Sequence, residues 1–238
     1  MLVGTLLERL AEDPEAAALL LDVDGTLAPI VARPELAAVP EETRTELERL
    51  VRSYALVACV SGRTGEDAAR LVGVSGVRYV GEHGLELDPA ADEWADRLAA
   101  FAAGVDRPSE PGKRLTLAFH YRAADDEKAA IGSLQEVAKR ARAEGLRPSW
   151  GRKVLEIRPP LEADKGTAVR RLLATAGLRR ALYAGDDATD LDGFRALDGL
   201  EVAVRVAVVS AESPDDLGRA ADLLVAGPEA LLDVLRAL

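Results

Sequence analysis

Cysteine occurs once, at Cys59, and histidine twice, at His83 and His120. One thiol excludes an internal disulfide and any cysteine-built zinc site. Two imidazoles leave little room for a histidine metal cage. No run of about 18 uncharged apolar residues occurs in the chain, which excludes a transmembrane helix and sets aside the membrane as a partner. The opening segment, MLVGTLLERLAEDPEAAALL, breaks its apolar stretch with Glu and Arg and lacks a basic n-region, so a signal peptide is not expected. Positive charge is in deficit: 30 Lys and Arg against 41 Asp and Glu leave a formal charge of −11. A nucleic-acid backbone needs a basic face, so nucleic acid is not an expected partner. Internal repeats and low-complexity linkers are also missing. What remains is an acidic protein of 238 residues, 48% hydrophobic and 30% charged, enough for one large or two modest domains. A cytoplasmic location is expected, and any bound metal is expected to be held by carboxylates.

Short apolar runs alternate with amphipathic stretches. Residues 17–23, 55–60, 77–80, 181–184, 202–209 and 223–226 read as strands buried on both faces. Residues 41–52, 66–72, 165–176 and 191–197 carry apolar side chains at helical spacing. That alternation predicts a doubly wound, Rossmann-like parallel sheet, whose ligands collect at the carboxyl ends of its strands. Residues 88–160 read differently. A helix over 92–103, the turn PSEPGK, a strand over 115–122, a long helix over 125–143 and strands over 146–150 and 153–158 predict a small α+β sheet covered by two helices. Asp88-Pro89 and Pro159-Pro160 flank it as hinges. The expected organisation is a catalytic core of 1–87 and 161–238 with an insert of 88–160.

The strongest local signal is LLLDVDGTLAPI, residues 19–30. Asp22 and Asp24, one residue apart after a buried strand, would share a face by the period of two. Two carboxylates so placed repel unless a cation or a proton lies between them. Asp and Gly are equally the residues of a turn or a helix cap. SGRTGED, residues 61–67, offers a hydroxyl and backbone N–H groups at a helix start, which suits an anion or simply a cap. Lys165, in DKGTAVRRLL, opposes the helix macrodipole at a first turn and so asks for an anionic neighbour. ALYAGDDATDLDGF, residues 181–194, places Asp186, Asp187 and Asp190 after another buried strand, with Asp192 beyond. Such a cluster either holds a hard divalent cation or caps a helix.

The order aspartates, serine, lysine, aspartates resembles the haloacid dehalogenase superfamily of phosphotransferases. Within it, DVDGTLAPI, SGR, EHG, HYR, VLEIRPP…DKG and GDDATD resemble the trehalose-6-phosphate phosphatases over nearly the whole chain. One departure stands at Leu191, where many members carry Glu. The resemblance implies a Mg²⁺-dependent phosphomonoester hydrolase that converts trehalose 6-phosphate to trehalose and phosphate through an aspartyl phosphate. Asp22 would be the nucleophile, Asp24 the general acid and base, and Lys165 and Ser61, with Gly62, the phosphate ligands. Mg²⁺ would be held by Asp22, Asp24 through its backbone carbonyl, and Asp186, with Asp190 orienting outer waters or Lys165. Asp187 would hydrogen-bond within its loop.

The insert matches the family's cap domain in place and size, and the cap would choose the sugar. Glu156 is the first candidate for sugar contact, although its strand alternates and could simply turn it to solvent. His83, Arg122, Arg152 and Lys153 are further substrate-binding candidates, and Arg63 is a candidate either to reach substrate or to pair with a core carboxylate. Trp150 is expected in the cap core, and Cys59 in the packing of a buried strand. The resemblance admits a trehalose-phosphate synthase as partner, and a monomer is expected. Within the same chemistry, sucrose phosphate and mannosyl-3-phosphoglycerate are rival substrates. From a different class, a non-catalytic sugar-phosphate sensor would not need Asp22 and Asp24 together.

Overall fold

A computed structural model of the chain describes residues 3–31, 36–122, 124–151, 153–211 and 213–238. The chain divides into two compact units, Met1–Gly84 with Ala163–Leu238, and Leu85–Glu162.

The first unit begins with α1 (Val3–Ala11) and β1 (Ala18–Leu21), followed by α2 (Glu41–Ser53), β2 (Leu56–Val60), α3 (Gly65–Val72) and β3 (Arg78–Val80). Between β3 and the later elements lies the second unit, with α4 (Ala95–Ala103), β4 (Leu117–His120), α5 (Glu127–Ala143), β5 (Arg147–Gly151) and β6 (Val154–Arg158). The first unit resumes with α6 (Lys165–Ala176), β7 (Arg180–Gly185), α7 (Asp190–Ala196), β8 (Val202–Val209), α8 (Asp215–Ala220), β9 (Leu223–Ala226) and α9 (Gly227–Arg236).

Its six strands form one parallel sheet in the order β3-β2-β1-β7-β8-β9. Every residue of β1 is buried because both faces of the sheet are covered. On one face Leu19, Leu21, Val57, Cys59 and Leu182 pack with Leu47 and Leu50 of α2 and Leu231 and Leu235 of α9. On the other, the Tyr183 ring stacks edge-on against Phe194 of α7, with centroids 5.9 Å apart. This is the α/β class that the alternating runs predict. Three helices were not among the expected elements: α1, whose Leu10 joins the core, the six-residue α8, and α9, which starts at Gly227 with proline in its first turn.

The second unit is an antiparallel sheet of order β4-β6-β5. Leu117, Phe119, Leu155 and Ile157 pack against Leu98 and Phe101 of α4 and Leu134 and Ala138 of α5. The period of two turns Glu156, with its cross-strand partners Ala118 and Ser149, to the other face. Trp150, expected in the core, pairs across the sheet with Leu155 but stays 42% exposed at the sheet's margin, edge-on to Tyr121.

Candidate active site

The sheet order builds outward from β1 in both directions, and that is where an open α/β sheet gathers its ligands. Leu21 of β1 lies beside Cys59 of β2 and Ala184 of β7. Asp22, Ser61 and Asp186 follow directly at or near the carboxyl ends of these three adjacent strands, and all three are buried.

Asp22 is joined to the sheet by its N–H, which donates to the carbonyl of Ala184 at 2.9 Å. Its Oδ1 accepts from Lys165 Nζ at 2.8 Å, and the same ammonium donates to Asp190 Oδ1 at 2.7 Å. Lys165 is placed by a capping box at the start of α6: Asp164 accepts from the Thr167 N–H, and Thr167 Oγ1 accepts from the Asp164 N–H. The anionic neighbours that a lysine in a first turn requires are therefore Asp22 and Asp190. Asp190 accepts from four donors. Tyr183 Oη reaches Oδ1 at 2.8 Å beside Lys165, and the N–H groups of Asp186 and Asp187 reach Oδ2 at 3.0 and 2.9 Å.

Burial pushes the Asp22 carboxyl well above the ordinary aspartate value; Lys165 opposes this, and Asp190 and Asp186 add to it. Burial would also discharge Lys165, but Asp190 and Asp22 outweigh it and hold the ammonium above the ordinary lysine value. Burial and the same carboxylates push Tyr183 up, so its hydroxyl is a neutral donor.

Asp24 departs from the expectation that it shares a face with Asp22. β1 ends at Leu21, and the period of two ends with it. Gly25 turns the chain at φ +84, and a Cβ there would lie 2.2 Å from Asp186 Oδ2. Only glycine lets this turn approach that carboxylate. Asp24 points instead to Arg63, whose Nε and Nη2 donate to its two oxygens at 2.7 and 2.6 Å. Arg63 Nη1 donates to Asp67 at 2.7 Å. Arg63, read from sequence as reaching substrate or pairing with a core carboxylate, is engaged here by two carboxylates.

Ser61 is not the cap of α3. Thr64 takes that place, accepting from the Asp67 N–H at 3.1 Å, while Ser61 Oγ accepts from the Arg63 N–H at 3.1 Å. The His83 ring lies against Gly62; a Cβ there would meet Nε2 at 2.8 Å, and the ring would have to shift. Glu82 and His83 both hold positive φ, 48° and 56°. That conformation is uncommon outside glycine and gathers at functional sites.

In the second unit Glu156 forms an ion pair with Lys113 Nζ at 3.7 Å, and Lys113 lies 3.5 Å from Glu110, which meets His120 Nε2 at 3.0 Å. The Lys113 and Glu156 side chains are only 8% and 18% exposed, so this is not a solvated charge run. Glu110 and Lys113 were legible only as a turn, since nothing in PSEPGK announces a burial partner on another strand. Lys153 holds φ 59° and pairs with Glu127, and Arg122 is exposed. Arg152 lies outside the described residues.

The sequence profile of the trehalose-phosphatase family matches residues 20–106 and 111–221. The chain belongs to that family. A trehalose-phosphate phosphatase of Mycobacterium marinum is 35% identical over 211 residues, covering 79% of this chain and 53% of its own length. A probable trehalose-phosphate phosphatase D of Arabidopsis thaliana is 29% identical over 224 residues, covering 81% and 60%. The chain thus spans about half the length of the sequence relatives it matches. The C-terminal domain of the Candida albicans trehalose-6-phosphate phosphatase superposes with a TM-score of 0.76 at 23% identity, covering 99% of this chain and 96% of that one.

For a trehalose-phosphatase family member the acidic cluster can be tested against a metal. Asp22, Asp186 and Asp190 each offer a carboxylate oxygen within 4.8 Å of the others. Three buried carboxyl groups face the single ammonium of Lys165. An oxygen-only donor set of this kind fits a hard divalent cation such as Mg²⁺. Asp190 already accepts four hydrogen bonds, the capacity of a carboxylate. Asp22 and Asp186 are accordingly the side chains better able to ligate.

Proposed function

We propose that this chain is a Mg²⁺-dependent phosphatase that hydrolyses trehalose 6-phosphate to trehalose and phosphate. The observation that carries this reading is the buried Asp22 carboxylate, 2.8 Å from the Lys165 ammonium beside Asp186 and Asp190. Asp22 attacks phosphorus, the bond from phosphorus to the sugar oxygen breaks, and an aspartyl phosphate forms on Asp22. Asp24 gives its proton to the departing sugar oxygen. As a carboxylate it then takes a proton from the water that releases phosphate and restores Asp22. Lys165, the Ser61 hydroxyl and the Gly62 N–H receive phosphoryl oxygens. Asp22, Asp186 and the Asp24 carbonyl would hold Mg²⁺, which when bound neutralises charge between these carboxylates and the phosphate. Asp190 orients Lys165. The inserted unit serves as the cap that selects the sugar, with Glu156 and its partner Lys113 as readers.

Phosphate release from trehalose 6-phosphate, sucrose phosphate and mannosyl-3-phosphoglycerate, each with and without Mg²⁺, tests the proposal. Release from the first alone, and only with Mg²⁺, is expected. Preference for another ester would overturn the substrate, and tight binding without release would make the chain a sensor.

A further inference from the structure

Asp67 lies outside every group assigned above, yet it is built into the same network as Asp24. It sits in the first turn of α3, where its N–H is fixed by Thr64 Oγ1 at 3.1 Å. One carboxylate oxygen accepts from Arg63 Nη1 at 2.7 Å, and the other accepts from Arg70. The remaining edge of the Arg63 guanidinium carries both oxygens of Asp24, at 2.7 and 2.6 Å. The guanidinium is planar and rigid, so fixing one edge fixes the plane and bearing of the other. The Arg63 side chain is 13% exposed, whereas that of Asp24 is 42% exposed. A carboxylate so open to water would sample several rotamers unless a partner held it. Among the described residues, Arg63 is the side chain that holds it.

We propose that Asp67 is a positioning residue that acts through Arg63 to aim Asp24 at the leaving-group oxygen. This rests on the acid and base role given to Asp24 above. The step it serves is the delivery of a proton from Asp24 to the sugar oxygen as the bond to phosphorus breaks and its electron pair passes to that oxygen. One oxygen of Asp24 leaves the Arg63 fork to carry the proton while the other stays held. An alkoxide needs this proton, whereas p-nitrophenolate leaves without one near neutral pH. A positioning role therefore shows as a leaving-group dependence that a loss of fold or of phosphate binding would not produce.

The experiment compares kcat/KM for trehalose 6-phosphate and for p-nitrophenyl phosphate in the parent enzyme, Asp67→Asn, Asp67→Glu and Arg63→Lys, with Mg²⁺ present and thermal unfolding recorded for each. Asp67→Asn is expected to lose roughly 10-fold on the sugar ester, as outer-shell partners of a site commonly cost, and to change little on the aryl ester. Asp67→Glu, which keeps the charge, should recover part of the loss. Arg63→Lys keeps a cation but not the fork, and should lose activity on the sugar ester as well. Equal losses on both esters, or none on either, would overturn the proposal. A parent enzyme that hydrolyses neither ester would instead overturn the phosphatase reading, and a parent ratio unaltered by Asp24→Asn would overturn the acid role itself.

Discussion

The ammonium of Lys165 and the carboxylate of Asp190 meet at 2.7 Å with both side chains almost wholly out of water. Neither could be buried alone, since an unpaired interior charge costs several kcal/mol even after relaxation. Asp190 has a second task, because its other oxygen ties down the N–H groups of Asp186 and Asp187. One carboxylate thus fixes both the Lys165 ammonium and the loop that carries Asp186.

Stability should register this double role. Asp190→Asn leaves Lys165 with Asp22 as its remaining charged partner, and a loss of about 3 kcal/mol is expected for breaking a buried pair. Tyr183→Phe removes a neutral donor from the same carboxylate and should cost about 1 kcal/mol. Urea unfolding of both variants checks the ranking. The Phe variant keeps the ring that packs against Phe194 and loses only the hydroxyl, so a loss as large as that of Asp190→Asn would overturn the ranking.

Metal removal should lower both stability and activity. The buried aspartates repel one another, so Mg²⁺ is expected to raise the unfolding temperature of the parent and to restore the activity that EDTA abolishes. In Asp186→Asn the thermal shift should shrink even where activity is too low to follow. An undiminished shift in that variant would place the ion elsewhere.

The parallel sheet was legible because its strands are continuous apolar runs, and β1 and β7 are followed directly by Asp22 and Asp186, which the adjacent strands bring to one place. The Lys165 contacts followed from a lysine at a helix start, a position that demands anions. The bearing of Asp24 was not legible. The period of two applies only inside a strand, and nothing local marks Leu21 as its last residue. The Arg63 fork spans 39 residues of chain, and the partnership of Glu156 with Lys113 crosses from a strand to a turn that composition alone makes look solvated. Pairings of that range are fixed by the fold and not by neighbouring residues.

The inserted unit should carry its own acid sensitivity. Burial alone would push the Glu110 carboxyl up, but the hydrogen bond with His120 and the charge of Lys113 outweigh it and hold the group below the usual glutamate value. The unfolded chain therefore takes up this proton more readily than the folded one. The stabilisation is complete above the ordinary glutamate pKa, about 4.3, and is lost as pH falls through the lower folded value. Glu110→Gln should cost about 1 kcal/mol at neutral pH, and the gap from the parent should close in acid. Denaturant titrations at several pH values test this, and a gap that stayed constant would rule out the pair as its source.

Substrate choice should rest with the inserted unit. Asp22, Asp24, Ser61, Lys165 and Asp186 all belong to the parallel-sheet unit, and in the proposed reaction any phosphomonoester would meet their requirements. They cannot tell a disaccharide from another alcohol. A disaccharide offers hydroxyls, which carboxylates and ammonium groups read well because each can accept or donate to them. The antiparallel unit supplies such groups on the face of its sheet opposite the Leu155 and Ile157 core, with Glu156 and Lys113 paired at 3.7 Å. Glu156→Ala is expected to raise KM for trehalose 6-phosphate and to lower kcat/KM by about 1–3 kcal/mol, the usual cost of a polar contact left unpaired. p-Nitrophenyl phosphate has no sugar to lose, so its hydrolysis should hardly change. Equal losses on both esters would show that Glu156 supports the sheet through Lys113, and the sugar-reading role would then pass to another residue of the unit.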